Sequence, residues 1–168
     1  MKFTIKAGRH YANKILAMRI MWGNDLRFRF KISRTAMYDP ATVINGWSKV
    51  FGISEPLGHR NSCRLVFMVT ALGMQIGMYC YLNGVSPQEN ENLKKSFGFI
   101  EPDLWYICSI ERSKSYYKMS VVGNLFWSLP LAMPACRWIL PFRFLLHPYI
   151  GGRFTLGNDC TIEIERIK

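Results

Sequence analysis

Acidic side chains are the first scarcity: 11 Asp and Glu stand against 22 Lys and Arg in 168 residues, with only three histidines, His10, His59 and His147. So few carboxylates leave little material for glycoside hydrolysis, in which two of them must flank a cleft. The nearest pair, Glu101 and Asp103, straddles Pro102 and reads as a solvated turn. Zinc and transition metals need several ligands converging at fixed spacing. No histidine here has a Cys, His or carboxylate at such a spacing. Calcium is the only cofactor with candidates, Asn158-Asp159 and Tyr38-Asp39, and both read equally well as turn or strand-start residues. The expectation is therefore no cofactor.

Other chemistries lack their signatures. No G-x-S-x-G or comparable nucleophile motif occurs. Gly151-Gly152-Arg153 has neither P-loop nor dinucleotide spacing and reads as a turn between strands. The five cysteines, at 63, 80, 108, 136 and 160, never approach CxxC spacing. They sit mostly in apolar stretches, so buried reduced thiols are expected, in a reducing compartment or a particle assembled in one. The opening apolar patch Ile15-Leu16-Ala17-Met18 stops at Arg19, too short for a secretory signal. Residues 65–82 and 119–136 are free of charge, yet neither reads as a membrane span. The first divides at Ala71-Leu72-Gly73 into two strands. The second holds Pro130 and Pro134, which break a helix.

What the chain does have is apolar bulk and positive charge. With 11 Phe, 8 Tyr, 5 Trp and 9 Met it can bury a core as one domain over residues 1–168. Residues 1–37 carry nine bases and one acid, and residues 112–158 carry six bases and no acid. Such basic zones attract phosphates or an anionic surface, or simply face solvent.

Strand signals dominate. From Asp25 to Ser33, Leu26, Phe28, Phe30 and Ile32 alternate with Arg27, Arg29, Lys31 and Ser33, giving an apolar and a cationic face. Met74 to Leu82 alternates with both faces fairly apolar, which predicts a central strand. A turn is expected at Asn83-Gly84. A hairpin is expected from Trp105–Glu111 and Tyr116–Val122, and a closing strand over Cys160–Glu165. Helical signals are few: a turn or two over Gln88–Ser96, and mixed periodicity from Ala12 to Met21. Short strands between Gly, Pro and Asn turns predict an all-β, antiparallel sandwich of jelly-roll or lectin-like (concanavalin) type with little helix. The Pro-punctuated stretch 129–148 reads as an insertion over one sheet or an apolar interface segment.

Several patterns recur in order. Trp47-Ser48-Lys49-Val50-Phe51-Gly52-Ile53-Ser54 is followed by Gly58-His59-Arg60-Asn61-Ser62-Cys63-Arg64. Tyr79-Cys80-Tyr81-Leu82-Asn83-Gly84 comes next, then Tyr149-Ile150-Gly151-Gly152 and a last alternating strand. In this order they resemble a family of small uncharacterised β-sandwich proteins from Bacteroidetes and their crAss-like phages. The resemblance implies the sandwich fold and a virion or host-cytoplasm location, and it carries no activity. It also implies candidate ligand-binding positions at His59, Arg60, Asn61, Arg153, Asn158 and Asp159. Departures fall on polar places: Gly58 replaces the first of two histidines, Arg153 replaces an Asn, and Asn158-Asp159 replaces a His-Asp pair.

Three functions follow as expectations. The first is a non-enzymatic structural or binding module, phage-encoded or virion-associated, engaging protein partners, a second copy or a glycan. Trp47, Trp105, Tyr79 and Tyr81 are its candidate sugar platforms. The second is nucleic-acid binding through the basic face of Arg27, Arg29 and Lys31, weakened because that strand's aromatics point the other way. The third is a carbohydrate-active enzyme whose groove the sequence does not display.

Overall fold

Alternation of apolar and polar side chains makes extended backbone the favoured local state along most of this chain. The computed structural model describes residues 1–12, 20–38, 46–55, 60–124, 126–135, 141–151 and 155–167. They form twelve strands: β1 (Lys2–Ile5), β2 (Ile20–Trp22), β3 (Asp25–Ile32), β4 (Ser48–Ser54), β5 (Ser62–Thr70), β6 (Gly73–Tyr81), β7 (Lys94–Ile100), β8 (Tyr106–Arg112), β9 (Tyr116–Val122), β10 (Leu131–Pro134), β11 (Phe142–Leu146) and β12 (Cys160–Arg166). No α-helix occurs among the described residues, only short 3-10 turns such as Arg34–Ala36 and Glu91–Leu93.

The strands build two six-stranded antiparallel sheets, ordered β1-β12-β3-β8-β9-β10 and β2-β11-β4-β5-β6-β7. The expected all-β sandwich is what the chain forms. Strand β3 buries Leu26, Phe28, Phe30 and Ile32 and turns its cations outward, as the period-two pattern requires. Phe28 meets Phe51 of the facing sheet edge-on, with ring centroids 5.1 Å apart. Strand β6 lies inside the second sheet, which explains why both of its faces are apolar. Its exit is the Asn83-Gly84 turn, where both residues take positive φ (54° and 90°) and Leu82 and Val85 exchange backbone hydrogen bonds. Cys63, Cys80, Cys108 and Cys160 are free and buried, and Cys136 lies outside the described residues. Burial pushes the Cys108 thiol well above its usual pKa.

Two stretches differ from the form their residues predict. Of the turn or two expected over Gln88–Ser96, one forms where the Glu89 and Asn90 N–H groups donate to the Ser86 carbonyl and another at Glu91–Leu93, capped by the Asn90 side chain on the Asn92 N–H; from Lys94 the chain is strand β7. Edge pairing with β6 outweighs the weak helical propensity there. The stretch 129–148 is also not an insertion. It supplies β10 at the edge of the first sheet and β11 inside the second, with Met133 and Leu145 in the core. Its prolines sit at the end of an edge strand and between strands, where no ladder donor is lost.

One polar cluster ties the sheets together. Glu55, just after β4, is 1% exposed. Its carboxylate accepts from Arg112 Nε of β8 (2.7 Å) and from the Tyr117 hydroxyl of β9 (2.9 Å), and it pairs with Arg143 Nε of β11 (3.0 Å). The Arg143 guanidinium also donates to Asn24 Oδ1 and to the Phe142 carbonyl. Burial, reinforced by the Glu55 charge, holds the Tyr117 hydroxyl protonated far above the usual range. The charges offset one another's desolvation here, and the cluster links elements of both sheets.

Candidate functional site

The outer face of the second sheet owes its chemistry to a bulge. Phe51 opposes Leu65 and Lys49 opposes Val66, so Val50 is an extra residue in β4. Strict alternation from Ile53 and Phe51 would turn Lys49 into the core. The bulge re-aims it outward. Beside it, the chain after β11 runs along β4: Lys49 and Tyr149 exchange backbone hydrogen bonds of 2.7 and 2.9 Å, and Tyr149 in turn bridges Tyr11. On the other side, Arg64 of β5 lies in register with Tyr79 of β6.

These neighbours form one continuous patch. The Lys49 ammonium sits 5.2 Å from the ring centres of both Tyr79 and Tyr149. The Tyr149 ring stacks on His10 (5.5 Å) and meets Tyr11 at 4.8 Å, while Tyr79 meets Tyr81 at 5.7 Å. Tyr11 is 67% exposed, whereas Arg64 (6%) and Tyr79 (3%) form the floor. Lys49, Tyr81 and Tyr149 are half-buried between them. Trp47 lies across Gly77: a Cβ at residue 77 would stand 3.1 Å from the indole and 2.6 Å from the Lys95 carbonyl, so glycine is what admits the ring.

The electrostatics follow from burial. Desolvation, aided by the Arg64 charge, lowers the Lys49 pKa to about 8. Burial lowers Arg64 to about 10, and burial followed by the neighbouring Tyr81 raises Tyr79. The exposed Tyr11 ring, the half-buried Tyr81 and Tyr149 with their hydroxyls, and a cation among them suit a flat polar ligand that offers both C–H and oxygen atoms. Towards the opposite edge of the same face stand Phe144, Phe142 and Trp22, the last 72% exposed and 5.8 Å from Phe142. From β2 to β6 the face spans four strand spacings, roughly 19 Å.

The first sheet presents a different outer face. Arg29 donates to Glu165 (2.8 Å) and Lys31 pairs with Glu163 (2.9 Å), both acids standing opposite on β12. Trp105 lies under these cations at 4.8 and 5.1 Å, so this face does carry an aromatic, brought from outside β3. Arg27 is exposed beside them. At one end of the sandwich a depression of about 840 Å³ is lined by Leu72, Phe99, Glu101, Leu104, Trp105 and Phe126, among others. The carboxylate of Asp103, also in its wall, is engaged by the Arg34 backbone N–H (3.0 Å) and Nε (3.6 Å).

The positions implied by the family resemblance lie, where they are described, at the turn after β6 and beside Lys6. The Asn61 amide oxygen accepts the Asn83 N–H (2.7 Å) and the Arg60 carbonyl accepts the Gly84 N–H (2.8 Å), which fastens the turn after β6. Asp159 pairs with Lys6 (2.6 Å) and accepts from the Ala7 N–H (3.0 Å), which hold its pKa below the usual carboxylate range. Asn158 is exposed beside it. His59, Arg153 and the calcium candidate Asp39 lie outside the described residues. Among the described residues no three His, Cys, Asp or Glu are grouped to hold a metal. No helix among them is long and apolar enough to cross a membrane. Of the patch, Trp47, Tyr79 and Tyr81 are among the candidate platforms that the sequence offers. Lys49, Tyr11 and Tyr149 are not, because only the bulge and the bridge to Tyr149 bring them there, and Arg64 arrives through its register with Tyr79.

No family profile matches the sequence, and no curated protein does. Solved structures do resemble it in fold. A Saccharomyces cerevisiae protein of unknown function aligns over 99% of this chain and 89% of its own, at 9% identity and a TM-score of 0.59. An alginate lyase aligns over 99% and 75%, at 12% identity and a TM-score of 0.55. A β-1,3-glucanase from Mycobacterium marinum aligns over 98% and 74%, at 10% identity and a TM-score of 0.52. The chain therefore shares the jelly-roll sandwich of glycoside-hydrolase-type proteins.

Proposed function

We propose that this protein is a non-enzymatic glycan-binding module and that it binds on the outer face of its second sheet. The observation that carries the reading is the patch of Tyr11, Tyr149, Tyr79 and Tyr81 gathered around Lys49. Amphipathic rings at a sheet surface offer faces for sugar C–H groups, with hydroxyl and ammonium edges for sugar oxygens. A fold shared with proteins named for action on polysaccharides supports this choice of ligand. Binding rather than bond cleavage is what a ring-and-cation surface can do by itself, since cleavage asks for a paired acid and base. A place on a phage particle, implied by the sequence resemblance, belongs to the same proposal and would set this face against surface glycans of a host.

Affinity electrophoresis through gels containing single soluble polysaccharides tests the reading. Retardation by at least one of them, reduced when Tyr11 or Tyr149 is replaced by Ala, is the expected result. Unchanged mobility in every gel overturns it.

A further inference from the structure

Lys49 differs from the paired surface cations of this molecule. Lys6, Arg29, Lys31, Arg34, Lys94 and Lys118 each reach a carboxylate within 4 Å. The Lys49 ammonium is drawn into the second sheet's outer face with two tyrosine rings as its neighbours, and no carboxylate of the described residues pairs with it. Arg64, one strand away, adds charge of the same sign. Cation–π attraction offsets part of the cost of removing an ammonium from water. It does not neutralise the charge. A half-buried cation beside another, walled by rings, is a receptor for an anionic group that arrives with an apolar or ring-shaped carrier.

We propose that the glycan bound here is anionic, a polysaccharide bearing carboxylate or sulfate groups, with the Lys49 ammonium as the partner of its charge and the tyrosines as the platform for its rings. This rests on the glycan reading above and narrows it to one class. The opposite outer face competes less for the role, because Arg29 and Lys31 already meet Glu165 and Glu163 and Arg27 stands in water. A ligand charge placed near Lys49 gains from a desolvated partner and from little competing negative charge.

The test is titration calorimetry of the whole chain with three soluble polysaccharides, at low and high salt: a neutral β-glucan, a polyuronate, and a sulfated glycan. Lys49→Met, Lys49→Arg and Arg27→Gln variants are measured alongside, each checked for native circular dichroism. The expected result is that one or both anionic polymers bind at least about tenfold more tightly than the neutral one. That preference should shrink as salt rises, vanish in Lys49→Met and survive in Lys49→Arg and Arg27→Gln. The uronate and sulfate arms identify which group is taken. Equal affinity for neutral and anionic polymers, or an undiminished preference in Lys49→Met, overturns the charge assignment and leaves the glycan reading standing. Loss of the preference in Arg27→Gln as well would mean diffuse polyanion adsorption and also overturns it. Absence of binding to all three polymers, together with unretarded electrophoresis in every gel, overturns both.

Discussion

The two outer faces of this sandwich spend the same kinds of side chain in opposite ways. On the first sheet, cations of β3 alternate with acids of β12 in register, so Arg29 lies beside Glu165 and Lys31 beside Glu163, with Trp105 filling the gap. Charge there is compensated locally, and the face suits exposure to water. On the second sheet, Lys49 and Arg64 are set among Tyr11, Tyr79, Tyr81 and Tyr149 and are partly withdrawn from solvent. The difference teaches that a run of basic residues is a poor guide to where a cation is drawn in among aromatic rings. Arg29 and Lys31, on the strand with the clearest cationic pattern, are neutralised by its neighbour, and the cation set among rings comes from a strand whose pattern is broken by a bulge.

The largest perturbation should not discriminate between the faces at all. Glu55 is held by Arg112 and Tyr117 of the first sheet and by Arg143 of the second. Glu55→Gln would leave two buried guanidinium groups without that carboxylate, a loss on the order of 3–5 kcal/mol for a broken buried pair. Urea unfolding should show the whole transition moving to lower denaturant in one step. Two separate transitions would mean that the sheets do not depend on this cluster jointly.

A smaller change should separate the faces. In Gly77→Ala the new Cβ meets the Lys95 carbonyl and the Trp47 ring, so the expected cost is about 1–3 kcal/mol of overpacking. Because Trp47 sits on the second sheet's outer face, tryptophan fluorescence and glycan affinity should both change. The Lys31–Glu163 pair should keep its strength, read from a double-mutant cycle. A change in that cycle would show the two faces to be mechanically linked.

Much of the fold was legible because alternation is a local property. Asp25–Ile32, Gly73–Tyr81 and Cys160–Arg166 announce their buried faces residue by residue, and Asn83-Gly84 announces its turn. The site was only partly legible, since it depends on where two-residue alternation fails. The extra Val50 turns Lys49 outward, and the backbone bridge between Lys49 and Tyr149 joins positions 100 residues apart. No spacing rule in a single sequence expresses either feature. The order Gly58-His59-Arg60-Asn61 is a related case. Its described members, Arg60 and Asn61, fasten the backbone of the neighbouring turn, a contact between separate strands that residue types alone do not announce.

The pH response of Lys49 gives a subtler contrast. The groups facing it are Arg64 from β5, Tyr79 from β6 and Tyr149 from the segment after β11. Below pH 8 the ammonium is present in folded and unfolded chains alike, and the cost of its burial is fully felt. Between about 8 and 10.5 the folded chain releases the proton while the unfolded chain keeps it, so this group's contribution to stability rises with pH. Affinity for an anionic glycan should run the other way and fall as pH passes 8. Lys49→Met should remove both slopes relative to the native protein. A slope retained in that variant would assign the titration to another group.

The smallest effect belongs to the compensated face. Arg29 and Glu165 are each nearly half exposed, so their pair is screened by water and salt. Replacing Glu165 by Gln should cost no more than about 0.2–1 kcal/mol, measured by thermal or urea unfolding. It should also leave glycan affinity unchanged, because Arg29 retains the Trp105 ring as a neighbour and the site lies on the other sheet. If the freed Arg29 instead raised affinity for polyuronate or sulfated glycan to match that of the Lys49 face, compensation by β12 would be what keeps the first face out of binding, and the glutamates of the last strand would be there to silence it.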